Sequence, residues 1–265
     1  MKHCALITGA SGGIGLELAR VFAKNGHHLV LVDIRELELE AAKRELQAMV
    51  PDCLVSCVVE DLAQAGAAAR VATHPEVQKQ PIDVLVNNAG FGMFGFFAET
   101  DWARESSMIH LHVLTLTHLT KLFLPGMISR GYGKILNIAS MAGFQPSPLM
   151  SIYYATKAYV LSFTQSIANE VKGTGVSATV LCPGMVPTGF QQSVGAAKPK
   201  FSAKSSWMVT TVEYVAQFGF QATMKGKVVA IPGALNVLMA TLVRLVPRNL
   251  VTAFLRRAQE KNRKG

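Results

Sequence analysis

A regular alternation along the chain constrains the fold most strongly. Short apolar runs, each typical of a buried strand, are separated by longer segments with the 3.6-residue period of a helix. Seven runs predict strands: Cys4 to Ile7, Leu29 to Val32, Leu54 to Val59, Val84 to Val86, Lys134 to Ile138, Ser177 to Leu181 and Lys227 to Ile231. Six segments predict helices: Ile14 to Lys24, Glu36 to Met49, Ala65 to Ala72, Trp102 to Ile128, Ile152 to Lys172 and Val212 to Thr223. The expected fold is therefore α/β, a doubly wound, seven-stranded parallel sheet with helices on both faces.

This alternation runs through the chain without an internal repeat, a low-complexity segment or a linker, so one domain spanning residues 1–265 is expected. Half of the residues are hydrophobic, which excludes a disordered chain. Thr210 with Glu213 three residues later predicts a capping box at the start of the sixth helix. The longest irregular stretch, residues 183–208, is predicted to be a lid over a substrate site.

The apolar runs are too short for a membrane span, which needs roughly 18 to 20 residues. The longest, Val228 to Val243, is interrupted by Pro232 and Gly233 and predicts a strand followed by a helix. Four cysteines lie in or beside strand-like stretches, which indicates buried reduced thiols rather than a zinc site: Cys4, Cys53, Cys57 and Cys182. The first strand begins within three residues of Met1 and leaves no room for a leader peptide, so a cytoplasmic location is expected.

The formal charge of +9 is concentrated at the C-terminal end. Residues 244–265 contain seven Lys or Arg and one Glu, and therefore contribute +6 to the net charge of +9. This segment is predicted to be a basic helix or tail with a solvated face, and weak peripheral association with an anionic membrane surface or an acidic partner is left open. No motif of a nucleic-acid-binding fold accompanies the charge, so a nucleic-acid partner is not expected.

A glycine-rich turn joins the first strand to the first helix. Glycines there allow a tight turn and let the backbone approach a diphosphate, which lies at the positive end of the helix. By itself this signal is weak, because an ordinary strand-to-helix turn can be equally rich in glycine. The candidate dinucleotide-binding residues of the turn are Thr8, Gly9, Ser11, Gly13, Ile14 and Gly15.

An acidic residue at the end of the second strand supports a dinucleotide site. Asp33 follows the glycine turn by about 20 residues, where a carboxylate accepts hydrogen bonds from the adenosine ribose and repels a 2′-phosphate. NAD(H) is therefore favoured. Because Arg35 lies two residues further on and can reach a phosphate, NADP(H) stays open.

Three residues form the predicted catalytic group. Ser140 closes the fifth strand, and Tyr153 and Lys157 lie one turn apart on one face of the next helix. The lysine ammonium is expected to lower the pKa of the Tyr153 phenol, which then gives or takes a proton at a carbonyl oxygen held by Ser140. A Tyr and a Lys four residues apart are common on helix surfaces, so this assignment depends on the glycine turn and Asp33 as well.

Together these motifs resemble the short-chain dehydrogenase/reductase family, whose single domain is a Rossmann fold. The resemblance covers nearly the whole chain, and the last part, from Pro232-Gly233 to residues 244–248, looks like a bacterial subgroup of general-purpose reductases. The motifs that carry the resemblance, in order, are the turn Thr8 to Gly15, Asp61-Leu62, Asn87-Asn88-Ala89-Gly90, Ser140, Tyr153 with Lys157, and Pro183-Gly184 with Thr188.

The resemblance implies further roles for these positions. It implies that Asp61 and Leu62 flank the adenine, that Lys157 also binds the nicotinamide ribose, and that Thr188 contacts the carboxamide. The remaining residues that it assigns to the walls of the cofactor site are Asn87, Asn88, Ala89, Gly90, Pro183, Gly184 and Val186. It further implies a homodimer or homotetramer, built partly from the helices that contain His112 and Tyr153.

One position departs from the family pattern. Where the family has an Asn that anchors a water in a proton relay to the Lys, this sequence has His112. An imidazole can still anchor a water, and a working relay with His112 is the favoured reading. The alternative is a weakened or lost activity, which would leave a dinucleotide-binding sensor or scaffold.

The substrate pocket is expected to be apolar. Bulky hydrophobic residues follow the strand ends at which such a sheet binds ligands: Phe91, Met93, Phe94, Met141, Phe144, Met150, Phe190, Phe201 and Trp207. About half of them are expected to pack in the core or at a subunit contact instead. The predicted substrate is a bulky apolar ketone, aldehyde or secondary alcohol, because no pair of arginines is placed to clamp a carboxylate.

Overall fold

The seven predicted strands form one parallel sheet in the computed structural model of the chain, which describes residues 2–187 and 210–263. Each strand lies within two residues of its predicted limits. Their bounds are β1 Cys4–Thr8, β2 His28–Asp33, β3 Val55–Val59, β4 Val84–Asn87, β5 Gly133–Ile138, β6 Val176–Leu181 and β7 Val229–Ala230.

The order of the strands places a ligand crevice at β1. The sheet runs β3-β2-β1-β4-β5-β6-β7, so β1 lies between β2 and β4, and successive strands extend outward from it in opposite directions. Register pairs Thr8 with Val32 on one side and Ile7 with Val86 on the other. At such a reversal the connections after the strands diverge and open a crevice at their carboxyl ends.

Besides one short 3-10 helix, nine helices are present in the described ranges, and the six predicted ones are among them. Their bounds are α1 Gly13–Lys24, α2 Glu36–Met49, α3 Ala67–Thr73, α4 Pro75–Gln78, α5 Trp102–Ser129, α6 Ser151–Glu170, α7 Val212–Met224, α8 Ala234–Leu242 and α9 Arg248–Arg263. Within α5, residues His110–Thr115 form a π-helical segment between two α-helical parts. The run Val228 to Val243 is a strand followed by a helix, as predicted.

The core consists of two layers, one on each face of the sheet. Phe22 of α1, Leu46 of α2 and Phe220 of α7 pack on one face. Val71 of α3 and Leu119 of α5 pack on the other. The near-continuous hydrophobic strands follow from this arrangement, since both faces of a doubly wound sheet are buried.

The capping box predicted at Thr210 is wrong. Helix α7 begins at Val212, its N-cap is Thr211, and the Thr211 hydroxyl accepts a hydrogen bond from the Tyr214 amide at 3.2 Å. Glu213 is then the second residue of the helix, one position before the third residue that completes a capping box. Both threonines carry the same hydroxyl, so the sequence pattern could not separate the two starts.

Among the described helices, α5 alone is long and apolar enough to cross a membrane. It has 28 residues, and a third of its most apolar stretch is buried in the protein. A helix packed on the sheet of a globular protein has the same length and composition. Most of the predicted lid, residues 188–208, lies outside the described residues.

Candidate active site

The glycine turn after β1 is shaped by close backbone approaches. Gly9 has φ +65° and Gly13 has φ +54°, a region that favours glycine. A Cβ on Gly9 would lie 2.8 Å from the Ala89 Cα, and one on Gly15 would meet the Asn88 side-chain nitrogen at 2.5 Å. Gly12 is the N-cap of α1 and has no side chain. The first turn of this helix therefore faces the crevice without a capping side chain. These features fit a diphosphate at the helix N-terminus.

Two side chains hold this turn to the end of β4. The Thr8 hydroxyl accepts hydrogen bonds from the amides of Asn88 at 2.9 Å and Ala89 at 3.0 Å, and donates to the Val86 carbonyl at 3.3 Å. The Asn88 side chain donates to the carbonyls of Thr8 and Gly9 at 2.9 and 3.1 Å. Thr8 and Asn88 therefore fix the two walls of the crevice relative to each other.

Asp33 is buried at the end of β2 and is already bonded within the protein. Its Oδ2 accepts from the Ser11 amide at 3.1 Å and the Ser11 hydroxyl at 2.5 Å, and its Oδ1 accepts from the Arg35 amide at 3.1 Å. The Arg35 guanidinium donates to Ser11 Oγ at 2.6 Å and is half exposed. A carboxylate and a guanidinium thus both border the glycine turn, where the adenosine ribose of a dinucleotide is expected.

The Asp61-Leu62 turn follows β3. The Asp61 carboxylate accepts hydrogen bonds from the Ala63 amide at 3.0 Å and the Gln64 side chain at 2.9 Å. The carbonyl of the buried Leu62 accepts from the Thr115 hydroxyl at 2.8 Å. This bond ties the turn to the π segment of α5, and the contact of Asp61 and Leu62 with the adenine stays a prediction.

A buried polar row behind the crevice was not identified from the sequence. Asn87 and Asn137 are paired in the register of β4 and β5, and the Asn87 amide donates to Asn137 Oδ1 at 2.8 Å. Asn137 in turn donates to the Thr164 hydroxyl on α6 at 2.9 Å. The row joins two central strands to the helix that carries Tyr153. Its sequence signal is an Asn near the end of each strand, where an apolar residue is usual in a buried parallel sheet.

Ser140 lies just past β5 and caps the short 3-10 helix Met141–Phe144. Its hydroxyl accepts a hydrogen bond from the Ala142 amide at 3.1 Å and is hydrogen-bonded to Tyr153. The Met141 amide donates to the Pro183 carbonyl at 2.9 Å. The ends of β5 and β6 are thereby held together next to the Tyr153 phenol.

Tyr153 and Lys157 are buried side by side on α6. The Lys157 Nζ lies 5.8 Å from the centroid of the Tyr153 ring and donates to the Ile138 carbonyl at 2.9 Å. Burial lowers the pKa of Lys157 to about 8. Ser140, Tyr153 and Lys157 are therefore brought together as the spacing predicted.

The predicted direction of the Tyr153 pKa is wrong. Burial raises the pKa of this phenol above its ordinary value, and the hydrogen bond with Ser140 offsets only part of the increase. The cause is that a phenolate is poorly solvated in this buried position, whereas the Lys157 ammonium is engaged by a backbone carbonyl. Tyr153 is accordingly a protonated phenol at neutral pH.

His112 is fully buried, and both of its ring nitrogens are used within the protein. The Phe91 amide donates to Nε2 at 3.2 Å, so Nε2 carries no proton. Nδ1 therefore bears the proton and donates to the Thr156 hydroxyl at 3.0 Å, and that hydroxyl donates to the Tyr153 carbonyl at 2.8 Å. Burial, followed by the charge of Lys157, lowers the pKa of His112 well below its usual range and keeps the ring neutral.

The π segment of α5 explains the position of His112. A π turn adds one residue and lets a side chain project where a regular helix would have continued its ladder. His112 approaches so closely that a Cβ on Gly90 would lie 2.7 Å from its Nε2. Thr156, which lies between Tyr153 and Lys157 in the sequence, was missed as the partner of this imidazole.

The segment after β6 forms the opposite side of the crevice. Pro183 and Val186 are buried, and a Cβ on Gly184 would lie 2.8 Å from the Asn236 side-chain nitrogen of α8. Asn236 also donates to the Pro232 carbonyl at 2.7 Å and was not identified from the sequence. Thr188 lies outside the described residues, and its predicted contact with the carboxamide stays a prediction.

An apolar cluster surrounds the Tyr153 ring. Phe91, Met93 and Met150 pack with Met108 and Tyr153, half-buried at the edge of the crevice. Leu149, directly before α6, has φ +65°, which is strained for a leucine. Phe144 packs with the core below α6 instead, and the predicted residues Phe190, Phe201 and Trp207 lie outside the described residues.

Within the described residues, no cluster of three or more His, Cys, Asp or Glu side chains has the arrangement of a metal site. The four cysteines are described, and none of them forms a disulfide. Cys182 is buried near Lys157, and burial raises the pKa of its thiol to about 12. A protonated thiol at this position packs as a small hydrophobic group.

Comparison with known proteins identifies relatives over most of the chain. The family model for short chain dehydrogenase matches residues 3–199. The sulfoacetaldehyde reductase of Chromohalobacter salexigens is 38% identical over 192 residues, which cover 72% of this chain and 75% of that protein.

Solved structures show the same fold. A short-chain dehydrogenase from Sphingobium yanoikuyae in complex with NADPH has a TM-score of 0.79 at 29% identity, covering 93% of this chain and 97% of that one. A bulky-bulky ketone specific alcohol dehydrogenase from Comamonas testosteroni has a TM-score of 0.76 at 27% identity, covering 92% of each chain.

Proposed function

This chain belongs to the short-chain dehydrogenase/reductase family of NAD(P)-dependent oxidoreductases that act on alcohol and carbonyl groups, and we propose that its substrate is a bulky apolar ketone, aldehyde or secondary alcohol. One observation carries the proposal. The hydrogen-bonded pair of Ser140 and Tyr153, with Lys157 beside it, lies next to the crevice that the glycine turn of β1 borders. The bound nicotinamide dinucleotide supplies or accepts a hydride at the substrate carbon.

Tyr153 is the proposed proton donor to the carbonyl oxygen during reduction. Because burial keeps the phenol protonated, it is in the form that can give its proton, and Ser140, which is hydrogen-bonded to this phenol, is the proposed second donor to the same oxygen. The reverse reaction, oxidation, starts from the phenolate of Tyr153, which takes the alcohol proton as the hydride leaves the substrate carbon. Lys157 is the proposed stabiliser of the phenolate that remains after the proton has left, because its Nζ lies 5.8 Å from the ring centroid.

The apolar substrate class is supported by the cluster around Tyr153. Phe91, Met93 and Met150 line the crevice edge, and the Arg104 guanidinium carbon lies 5.3 Å from the Phe91 ring centroid, over its face. A wall of this kind buries apolar surface of a substrate and contributes about 25 cal/mol for each Å². The alcohol dehydrogenase from Comamonas testosteroni, which shares the fold, is bulky-bulky ketone specific.

NAD(H) is the proposed cofactor, with NADP(H) as the second candidate. The carboxylate of Asp33 lies where a 2′-phosphate would be repelled, whereas Arg35 beside it offers a guanidinium to that phosphate. The two readings differ in isothermal titration with NADH and NADPH. We expect NADH to bind more tightly, and Asp33→Ser to improve NADPH binding at least tenfold relative to NADH. A wild-type protein that strongly prefers NADPH would show that Asp33 does not exclude the phosphate.

Assembly into a homodimer or homotetramer is proposed from the outer faces of α5 and α6. Leu114, Leu122 and Ile128 of α5 and Tyr159 of α6 are exposed apolar residues of these helices. Exposed apolar groups on adjacent helices are typical of subunit contacts. A cytoplasmic location is likewise proposed, supported by the four unpaired cysteines.

The test of the mechanism is Tyr153→Phe. We expect this variant to lose turnover on a panel of apolar ketones while NADH affinity changes by less than about tenfold, since the hydroxyl serves the proton transfer. Tyr159→Phe is the matched control: it removes a phenol on the same helix that bonds to Thr117 at 2.8 Å, and should keep its activity. Near-full turnover by Tyr153→Phe would refute the mechanism.

A sensor or scaffold function is the second candidate, favoured by the bonding of His112. Because Phe91 and Thr156 occupy both ring nitrogens, His112 has no nitrogen left for the relay water that the family Asn would hold. This candidate predicts tight dinucleotide binding, no turnover on the panel, and recovered activity in His112→Asn. Turnover by the wild-type protein would exclude it.

A further inference from the structure

The C-terminal helices expose an unusual amount of apolar surface. Of the 21 large hydrophobic residues exposed in the described parts of the chain, eight lie in an 18-residue segment of α8, α9 and their connection. Leu245 is 78% exposed and Phe254 is 71% exposed. These eight residues, called the C-terminal patch below, are Val237, Leu238, Met239, Leu242, Leu245, Val246, Leu250 and Phe254.

The exposed apolar residues of α9 lie next to the side of this helix that faces the protein. Val251, Leu255 and Gln259 are spaced by one turn and are half-buried. Leu250 and Phe254, also one turn apart, lie about 100° further around the helix and are exposed. Helix α9 therefore has one half-buried side and a neighbouring apolar side in solvent.

Positive charge surrounds the C-terminal patch. Arg244, Arg248 and Arg257 are exposed within or next to it. Arg256 is paired with Glu260 at 2.8 Å, so the single acidic residue of segment 244–265 is engaged within the helix. Among the described residues, these three arginines form no salt bridge with an acidic side chain. Apolar side chains flanked by such arginines complement a bilayer with anionic headgroups, which accepts both components at once.

Helix α9, which carries part of the patch, also reaches the loops beside the apolar cluster of the candidate active site. Helix α9 forms a groove of about 490 Å³ with Phe96 and Pro148, which belong to the loops beside the apolar cluster. Gln259 is hydrogen-bonded to Tyr154, the residue next to the predicted catalytic tyrosine. The Arg244 guanidinium carbon lies 5.6 Å from the centroid of the Phe144 ring, just past Ser140 in the chain.

We propose that the C-terminal patch, with Arg244, Arg248 and Arg257, docks this protein on an anionic lipid surface beside the entrance of its active site. Docking there would let an apolar substrate pass from the lipid to the active site. This delivery rests on the proposed function, whereas the docking itself does not. Apolar residues enter the headgroup region and the arginines pair with lipid phosphates. A bilayer is thereby chosen over a second copy of this chain, since two identical arginine-rich faces would repel each other.

The test is flotation of the full chain with vesicles of phosphatidylcholine alone or mixed with phosphatidylglycerol. A basic residue near an anionic surface contributes roughly fivefold to binding, so three arginines should give at least a tenfold preference for the mixed vesicles. The preference should disappear in about 1 M salt, where charges are screened within about 3 Å. Phe254→Gln with Leu250→Gln should weaken binding tenfold or more.

Leu37→Gln is the matched control, because Leu37 on α2 is 82% exposed and far from the basic segment in sequence. It should bind vesicles like the wild type, and all variants should keep wild-type turnover on a water-soluble carbonyl. The proposal would be overturned if the wild-type protein did not bind vesicles, or if Leu37→Gln lost as much vesicle binding as the patch variant. It would also be overturned if the patch variant only dissociated an oligomer in sedimentation without vesicles. Vesicle binding without turnover on any carbonyl would instead refute the proposed enzymatic function alone.

Discussion

The buried lysine of the active site should make the stability of the protein depend on alkaline pH. Burial lowers the pKa of Lys157 from 10.5 to about 8. A lysine in the unfolded chain keeps its ordinary pKa, so between pH 8 and 10.5 the unfolded state binds a proton that the folded state does not. The free energy of unfolding therefore rises with pH through this window. Below pH 8, Lys157 is charged in both states, and the destabilisation caused by burying its charge is present in full.

The size of the effect follows from the two pKa values. Their difference corresponds to about 3 kcal/mol of unfolding free energy in full, of which about 2 kcal/mol is gained between pH 7 and pH 9.5. Other lysines, tyrosines and cysteines titrate in the same range. The relevant quantity is therefore the difference between the wild type and Lys157→Met, in which the ionisable group is replaced by an apolar side chain of similar length.

Equilibrium unfolding in urea measures this difference on protein purified without added dinucleotide. We expect the wild type to gain about 2 kcal/mol relative to Lys157→Met from pH 7 to pH 9.5. Lys172→Met, which removes an exposed lysine just past the end of α6, controls for the loss of one charge. A difference between wild type and Lys157→Met that does not change with pH would show that Lys157 is not held as a desolvated cation.

Two further substitutions test how the crevice is held. His112→Phe keeps a ring but removes the acceptor for the Phe91 amide and the donor to Thr156. We therefore expect the unfolding free energy to fall by about 2–4 kcal/mol and the KM to rise. Unchanged stability in thermal unfolding would contradict the hydrogen-bond assignment. Gly15→Ala places a Cβ against the Gly9 carbonyl and the Asn88 side chain, and should weaken NADH binding more than tenfold in titration. The control is Gly131→Ala, at a turn outside the crevice with nothing near its Cβ position. It should leave NADH binding unchanged.

The architecture could be predicted because its signals are local and repeated. Helix α2 has the predicted bounds Glu36–Met49, and each strand lies within two residues of its predicted range. These elements alternate between buried strands and amphipathic helices, which a single sequence displays directly. The start of α7 at Thr211 could not be chosen, because two adjacent threonines offer the same cap.

The chemistry of the site was only partly predictable, because it depends on burial and on contacts between distant segments. The spacing of Tyr153 and Lys157 fixed their common face, but the pKa of Tyr153 depends on how deeply the ring is buried. His112 was recognised as a departure from the family pattern. Its bonds to Phe91 and Thr156 join residues 21 and 44 positions away, and no spacing rule in the sequence indicates them.

The π segment His110–Thr115 also limits which insertions and deletions this chain tolerates. A π turn takes up one residue more than an α turn within about the same rotation around the axis. Deleting one residue there would therefore restore a regular helix and leave Leu119 and Met127 facing the sheet on which they pack. A deletion in the α-helical part Leu116–Ser129 would instead rotate the residues after it by about 100°. Length variation among homologues should therefore be confined to the π segment of this helix.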